Sequence, residues 1–252
     1  MDASADHPQI GRITVDRAAL SGPGTELAAA LGALEFDVSM EGVPSDTPAS
    51  GWRVLAHPAY AVVLGAPVDD GSRWWRIAQV IPARDGSRTA EMHVHPEPQP
   101  LRPSPAERSR GLVLRWPETT RTEPDFDRLA LDVVNTGEYR WRPDGDSFTA
   151  IGFITRPGGG PGSGSFAFVG GGPPAFALDP GEYARVQVSL NPNQWEGREP
   201  GRHEISAVLM DLGLRTVASL EVQLTAELID QYQPRHDRAR PPRPSRSIHT
   251  QE

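Results

Sequence analysis

Three stretches of this chain alternate apolar and polar residues with a period of two. They are Leu34-Glu35-Phe36-Asp37-Val38-Ser39-Met40, Arg185-Val186-Gln187-Val188-Ser189-Leu190 and Leu220-Glu221-Val222-Gln223-Leu224. Successive side chains of a strand point to opposite faces, so the period suits a sheet with one buried face and disfavours a helix over the same residues. The pattern predicts half-buried antiparallel strands. Further strands are predicted at Arg12–Val15, Tyr60–Leu64, Trp74–Ile81, Thr89–His95, Leu112–Trp116, Leu129–Val134, Phe148–Ile154 and Glu204–Met210. Turn signals separate them at Asp70-Gly71, Asp85-Gly86, Thr136-Gly137, Asp144-Gly145, Asp179-Pro180-Gly181 and Pro200-Gly201. Gly (25) and Pro (26) together make up about a fifth of the 252 residues, which fits many short strands joined by turns. Only Thr25–Leu34 reads as a helix, with Thr25 as its N-cap and an alanine-rich continuation.

Two prolines-and-polar stretches divide the chain. Pro96–Arg110 holds prolines at 96, 98, 100, 103 and 105 and predicts a semi-rigid extended connector. Residues 230–252 are rich in Arg and Pro and nearly devoid of apolar side chains, so burial cannot offset their ordering entropy and a disordered tail is expected. Residues 1–11 are expected to be disordered as well. The expected organisation is therefore a β-sandwich over 12–95, a linker over 96–110, a second sandwich over 111–229 and the tail. An internal repeat is suggested by the shared spacing of Leu34, Asp37, Val38 and Gly42 with Leu129, Asp132, Val133 and Gly137. Trp52-Arg53 before Tyr60 is likewise matched by Trp141-Arg142 before Phe148.

Composition removes several chemistries. There is no cysteine, so disulfides, thiolate catalysis and Cys-based metal sites are excluded. All 25 basic residues are Arg; without Lys there is no Schiff base and no Gly-Lys-Ser/Thr phosphate loop. The tail carries five arginines against three acids, net +2, which leaves the rest of the chain at −10. An acidic body argues against a broad nucleic-acid footprint. No apolar run approaches the length of a membrane span, and no signal peptide is visible, so a cytoplasmic protein is the expectation.

The second half goes further. A strand ending Val133-Val134-Asn135-Thr136-Gly137 is followed by Leu178-Asp179-Pro180-Gly181-Glu182 opening a second strand. Pro200-Gly201-Arg202-His203-Glu204-Ile205-Ser206-Ala207 then opens a third. Over roughly Leu112–Leu228 this resembles bacterial immunoglobulin-like domains, most of all the adhesion-related type found as tandem modules. The resemblance implies a mainly β chain of two tandem Ig-like antiparallel sandwiches, and it speaks to fold rather than function. His203 stands where that family more usually has an aromatic residue.

Candidate sites follow from residue type and setting. In the glycine-rich run Pro157–Pro174, Ser165-Phe166-Ala167-Phe168-Val169 is an alternating piece able to cover the core or to dock on a partner by strand addition. Trp195, in the polar stretch Asn191-Pro192-Asn193-Gln194-Trp195, is the tryptophan expected to be exposed; Trp74 and Trp75, being adjacent, should face opposite ways. Tail arginines such as Arg240 and Arg243 offer an accessory electrostatic contact. These residues predict a non-enzymatic structural or protein-interaction module without a cofactor, part of a larger assembly with a protein partner. One alternative is a carbohydrate-binding module, which requires two exposed coplanar aromatics. The other is a metal-dependent enzyme around His93 and His95, which share one face of a strand and require a third ligand.

Overall fold

The computed structural model describes residues 6–40, 43–58, 60–83, 85, 87–158 and 172–233. Their strands form two sheets, so the chain is mainly β. The first sheet contains β1 (Gln9–Ile10), β2 (Ile13–Thr14), β3 (Asp37–Val38), β4 (Arg53–Ala56), β5 (Val62–Pro67), β6 (Trp74–Pro82), β7 (Thr89–Val94) and β8 (Gln99–Arg102). They run in the order β2-β1-β8-β6-β5-β4, with β7 beside β6 and β3 beside β7. β6 is the spine: β5 lines one side, while the other is shared between β7 at its C-terminal end and β8 at its N-terminal end. Between β7 and β8 the chain steps out at Pro96 and Pro98, which have no amide to donate. The buried Arg76 guanidinium fills this gap, donating to the carbonyls of His95 and Pro96 and to Asp46.

β5 is buried residue after residue, as expected where both faces of a sheet are covered. One face packs Leu64, Ala66, Ala78 and Val80 with Trp52 and with Leu27 and Leu31 of the helix Leu27–Gly32. The opposite face packs Val63, Ile77 and Trp75 with Ile10, Val15 and Leu55. Gly65 lies where a Cβ would come within 2.3 Å of Leu55 Cδ1 and 3.2 Å of Ile77 Cδ1, so any larger residue would force these side chains to shift.

The second sheet comprises β9 (Leu112–Arg115), β10 (Ala130–Asn135), β11 (Ala150–Thr155), β12 (Tyr183–Leu190), β13 (Gly201–Leu209), β14 (Leu214–Arg215) and β15 (Leu220–Leu224). Their order is β14-β13-β11-β12-β10-β9, with β15 on β13. β12 changes partner along its length: Tyr183–Gln187 pair antiparallel with β10, and Val188–Leu190 pair parallel with β11. A single large core forms inside, where the inward residues of β9, β10, β12, β13 and β15 meet Trp116, Trp141 and Trp195. The alternation of β12 and β15 is the one read from sequence, with Val186, Val188, Leu220, Val222 and Leu224 inside.

Several expectations need correction. The sheets are mixed rather than purely antiparallel, because β3–β7 and β11–β12 run parallel. The alternation at Leu34–Met40 yields only the two-residue β3, since Glu35 takes a positive φ of 60° that ends any extended run. Its carbonyl is held by Arg88. Residues Pro8–Gly11 are ordered within the fold: Ile10 is fully buried and pairs with Leu101. The proline-rich stretch is extended at Gln99–Arg102, but as β8, bonded on both sides into the first sheet. The suggested repeat has no structural counterpart, since Asp37–Val38 lie at a sheet edge while Asp132–Val133 lie in β10 between two neighbours.

The predicted helix is α2 (Leu27–Gly32); it starts at Glu26, and Thr25 instead pairs with Trp52. Four short helices were not foreseen: α1 (Arg17–Ser21), α3 (Pro105–Arg108), α4 (Glu118–Thr122) and α5 (Ala226–Tyr232). Each is too short for a helical period to appear in sequence, although Asp16, Ser104 and Thr225 carry capping side chains. α5 carries the fold past residue 229, into the stretch expected to be tail. Among the described residues no helix is long and apolar enough to cross a membrane.

Candidate functional site

The sequence candidates do not converge. His93 and His95 do share the outer face of β7 and its continuation, and both are exposed. His93 lies 3.4 Å from Glu91, while His95 Nδ1 lies 2.8 Å from the Glu97 carbonyl. No group of three His, Asp or Glu suited to a metal occurs among the described residues, so the third ligand that a metal site here needs is not among them. Phe166, Phe168, Arg240 and Arg243 lie outside the described residues.

Trp195 reverses its expectation. It is 1% exposed, set on the 3₁₀ turn Pro192–Trp195, and it meets Phe126 edge-on at 5.4 Å and Tyr232 in a stack at 4.8 Å. The polar Asn-Pro-Asn-Gln context signalled a loop but hid the direction of the indole. Asn191 caps the turn, and that rotates Trp195 inward. Trp52, Trp75, Trp116 and Trp141 are buried too, leaving Trp74, 48% exposed, as the exposed tryptophan. Trp74 and Trp75 face opposite ways, as their adjacency requires. The sugar-binding reading thereby loses its best residue.

What the structure does build is a charged junction between the two sheets. Asp146, whose side chain is fully buried, accepts from Arg102 at the end of β8 (2.5 Å) and from Arg108 at the end of α3. The Ser104–Glu107 capping box starts α3 and thereby aims Arg108 at this point. Hydrogen bonds from Ser104 also draw the Glu107 carboxyl below its usual range. Arg108 is held at every nitrogen: Nε donates to the Pro103 carbonyl, and Nη2 to Gln9 Oε1 (2.5 Å) and the Asp211 carbonyl (3.0 Å). Burial pulls its pKa below the usual guanidinium value, opposed by the Asp146 charge.

The junction extends outward from there. Asp211 accepts from the Ser147 amide and hydroxyl and faces Arg12 at 3.6 Å. Asp144 lies 3.7 Å from Arg102. Three arginines thus meet three aspartates, with Gln9, Arg12 and Arg102 from the first sheet's side and Asp144, Asp146 and Asp211 from the second's. Trp141 Nε1 donates to the Arg108 carbonyl at 2.6 Å. Nothing in sequence brought these residues together, because Gln9, Arg108 and Asp211 are far apart along the chain. Arg102 and Arg108 lie in the stretch read as a semi-rigid extended connector, and the structure buries both.

Two open clefts flank the first sheet. One of about 590 Å³ lies between α1 and β4 and is lined by His7, Thr14, Asp16, Val54 and His57. Asp16 is already engaged there, accepting from the Ala18 amide as the cap of α1. The other, of about 530 Å³, is lined by Leu31, Phe36, Val38 and Met40 beside α2. Comparison of the chain with family models, with curated proteins and with solved structures yields no match.

Proposed function

We propose that this protein is a non-enzymatic structural or protein-interaction module, a component of a larger assembly that binds a protein partner through its second half. The second half is read as an immunoglobulin-like sandwich: β9, β10 and β12 serve as one layer and β11, β13 and β15 as the other, joined in the order such folds use. His203 then takes an inward core position, its Nδ1 3.2 Å from the Gly201 carbonyl. The first half is read as a companion β unit and not as a second copy, since its single sheet carries an apolar cluster on each face.

The observation that carries the functional reading is the exposure of Tyr139, Phe176 and Tyr183 on the second half, with the Arg185 guanidinium 5.7 Å over the Tyr183 ring. Aromatic and arginine side chains are what protein interfaces favour at their centres. Phe176 lies eight residues after Phe168 in the chain and abuts Phe148 edge-on; Phe166 and Phe168, with Arg240 and Arg243 as accessory contacts, are the further residues to test for binding.

The test is capture of partners from the source cells, comparing the full chain with two variants. One replaces residues 159–171 by a short Gly-Ser linker, which spares the Gly172 and Pro173 contacts to Thr149 and Phe148. The other ends at Gln233, which keeps Tyr232 on Trp195. A stoichiometric protein partner lost with the 159–171 replacement supports the reading. Absence of any protein partner from the full chain overturns it.

A further inference from the structure

We infer that the mutual orientation of the two sheets is fixed by the Asp146 clamp, and that the clamp is the element whose loss frees them to move. This does not depend on what the protein binds. The buried apolar clusters supply the first half of the argument. Those of the first sheet draw on residues from Ile10 to Leu101, and those of the second on residues from Leu112 to Tyr232. Among the described residues, none draws on both sheets. The usual adhesive between packed β units, a shared apolar core, is therefore not what joins these two.

The polar contacts supply the second half. Asp146 receives Arg102 from β8 and Arg108 from α3, and Arg108 in turn reaches back to Gln9 on β1 and across to the Asp211 carbonyl. The arginine side chains are 9% and 3% exposed, and Asp146 is at 0%. Among the described residues Asp146 is the one carboxylate hydrogen-bonded to both buried cations, while the more exposed Asp144 lies 3.7 Å from Arg102 alone. Ion pairs of this kind are directional, so they set an angle where an apolar contact would allow sliding. Removing the Asp146 charge leaves the buried Arg108 without a carboxylate ion-pair partner among the described residues and Arg102 with only the more exposed Asp144 at 3.7 Å, a state relieved by opening the junction to water.

Asp146 is also tied into the second half by its backbone, since its carbonyl accepts from the Ala175 amide and Ser147 bridges to Pro174. Residues 146–147 and 174–175 are thereby paired with one another.

The chain has no cysteine, so two can be introduced as unique spin-label sites on exposed strand positions, Gln79→Cys on β6 and Gln223→Cys on β15. Pulsed electron–electron distance measurement on the full chain should give a single narrow peak. With Asp146→Asn added, that peak should be lost to a broad or multiple distribution, while far-ultraviolet circular dichroism keeps the β signal. Arg102→Met is the second variant; it leaves Asp146 paired with Arg108 and should broaden the peak less. An unchanged narrow peak in Asp146→Asn overturns the inference. If Asp146→Asn does not fold, an unchanged narrow peak in Arg102→Met overturns it, and a broadened one supports it.

Discussion

The Trp195 indole and the Tyr232 phenol ring are stacked, 4.8 Å apart at an interplanar angle of 19°, and this contact fastens α5 to the core of the second sheet. Phe126 completes the group, and the Tyr232 hydroxyl donates to Asp127 at 2.5 Å. The end of the described chain is thereby an integral part of the fold.

Trp195→Ala should cost about 3–5 kcal/mol, the usual penalty for deleting a large buried aromatic. Ending the chain after Ile229 removes Tyr232 and should cost about 1–2 kcal/mol through the lost aromatic contact. Ending it after Gln233 should leave stability unchanged. Urea titrations of the three variants separate these outcomes.

Burial, aided by the hydrogen bond to Asp127, raises the Tyr232 pKa to about 12, above the ordinary tyrosine value near 10. The folded state therefore holds this proton more tightly than the unfolded state does. The stabilisation is complete below pH 10 and is lost as pH rises from about 10 to 12. Ultraviolet titration should show one late tyrosinate step that disappears in Tyr232→Phe. The variant should also lose less stability than the parent over that alkaline range.

Gly65→Ala should destabilise by about 1–3 kcal/mol, because its Cβ would strike Leu55 Cδ1 and crowd Ile77. Combining it with Leu55→Val, which withdraws that methyl group, should recover part of the loss. A double-mutant cycle of denaturation midpoints reads the coupling directly.

Asp146→Asn should cost about 3–5 kcal/mol, as expected when one partner of a buried charge cluster is removed. Replacing Asp146, Arg102 and Arg108 together by Leu, Met and Met should cost less than the single change, since no buried charge is left uncompensated and Asp144, which loses Arg102, is solvent-exposed. Thermal melts of the two variants give the comparison.

The strands were legible wherever one face is buried and the other wet, because burial then writes itself as alternation. β12 and β15 show this, with every second residue inside. The alternation is lost where both faces are covered, as in β5, so that the predicted strand Tyr60–Leu64 overlaps it but misses its end at Pro67, and it misleads where one residue leaves the extended region, as Glu35 does. Partner choice was hidden for a related reason: the alternation that places Val186 and Val188 inside is the same for antiparallel and parallel pairing, so the switch along β12 left no trace. The junction was hidden altogether. Arg102, Arg108 and Asp146 sit among prolines and turn residues that signal exposure, and only the packing of one sheet against the other turns them inward. Trp195 misled in the same way, since polar neighbours report on the local turn and not on what lies beneath it.

The inferred Asp146 clamp makes the two sheets one oriented body. Residual dipolar couplings of backbone amides in the unmodified protein test this most directly. Couplings from β4–β8 and from β9–β15 should fit a single alignment tensor when both sheets are taken together as one rigid body. Two tensors of different magnitude, one for each sheet, would contradict it.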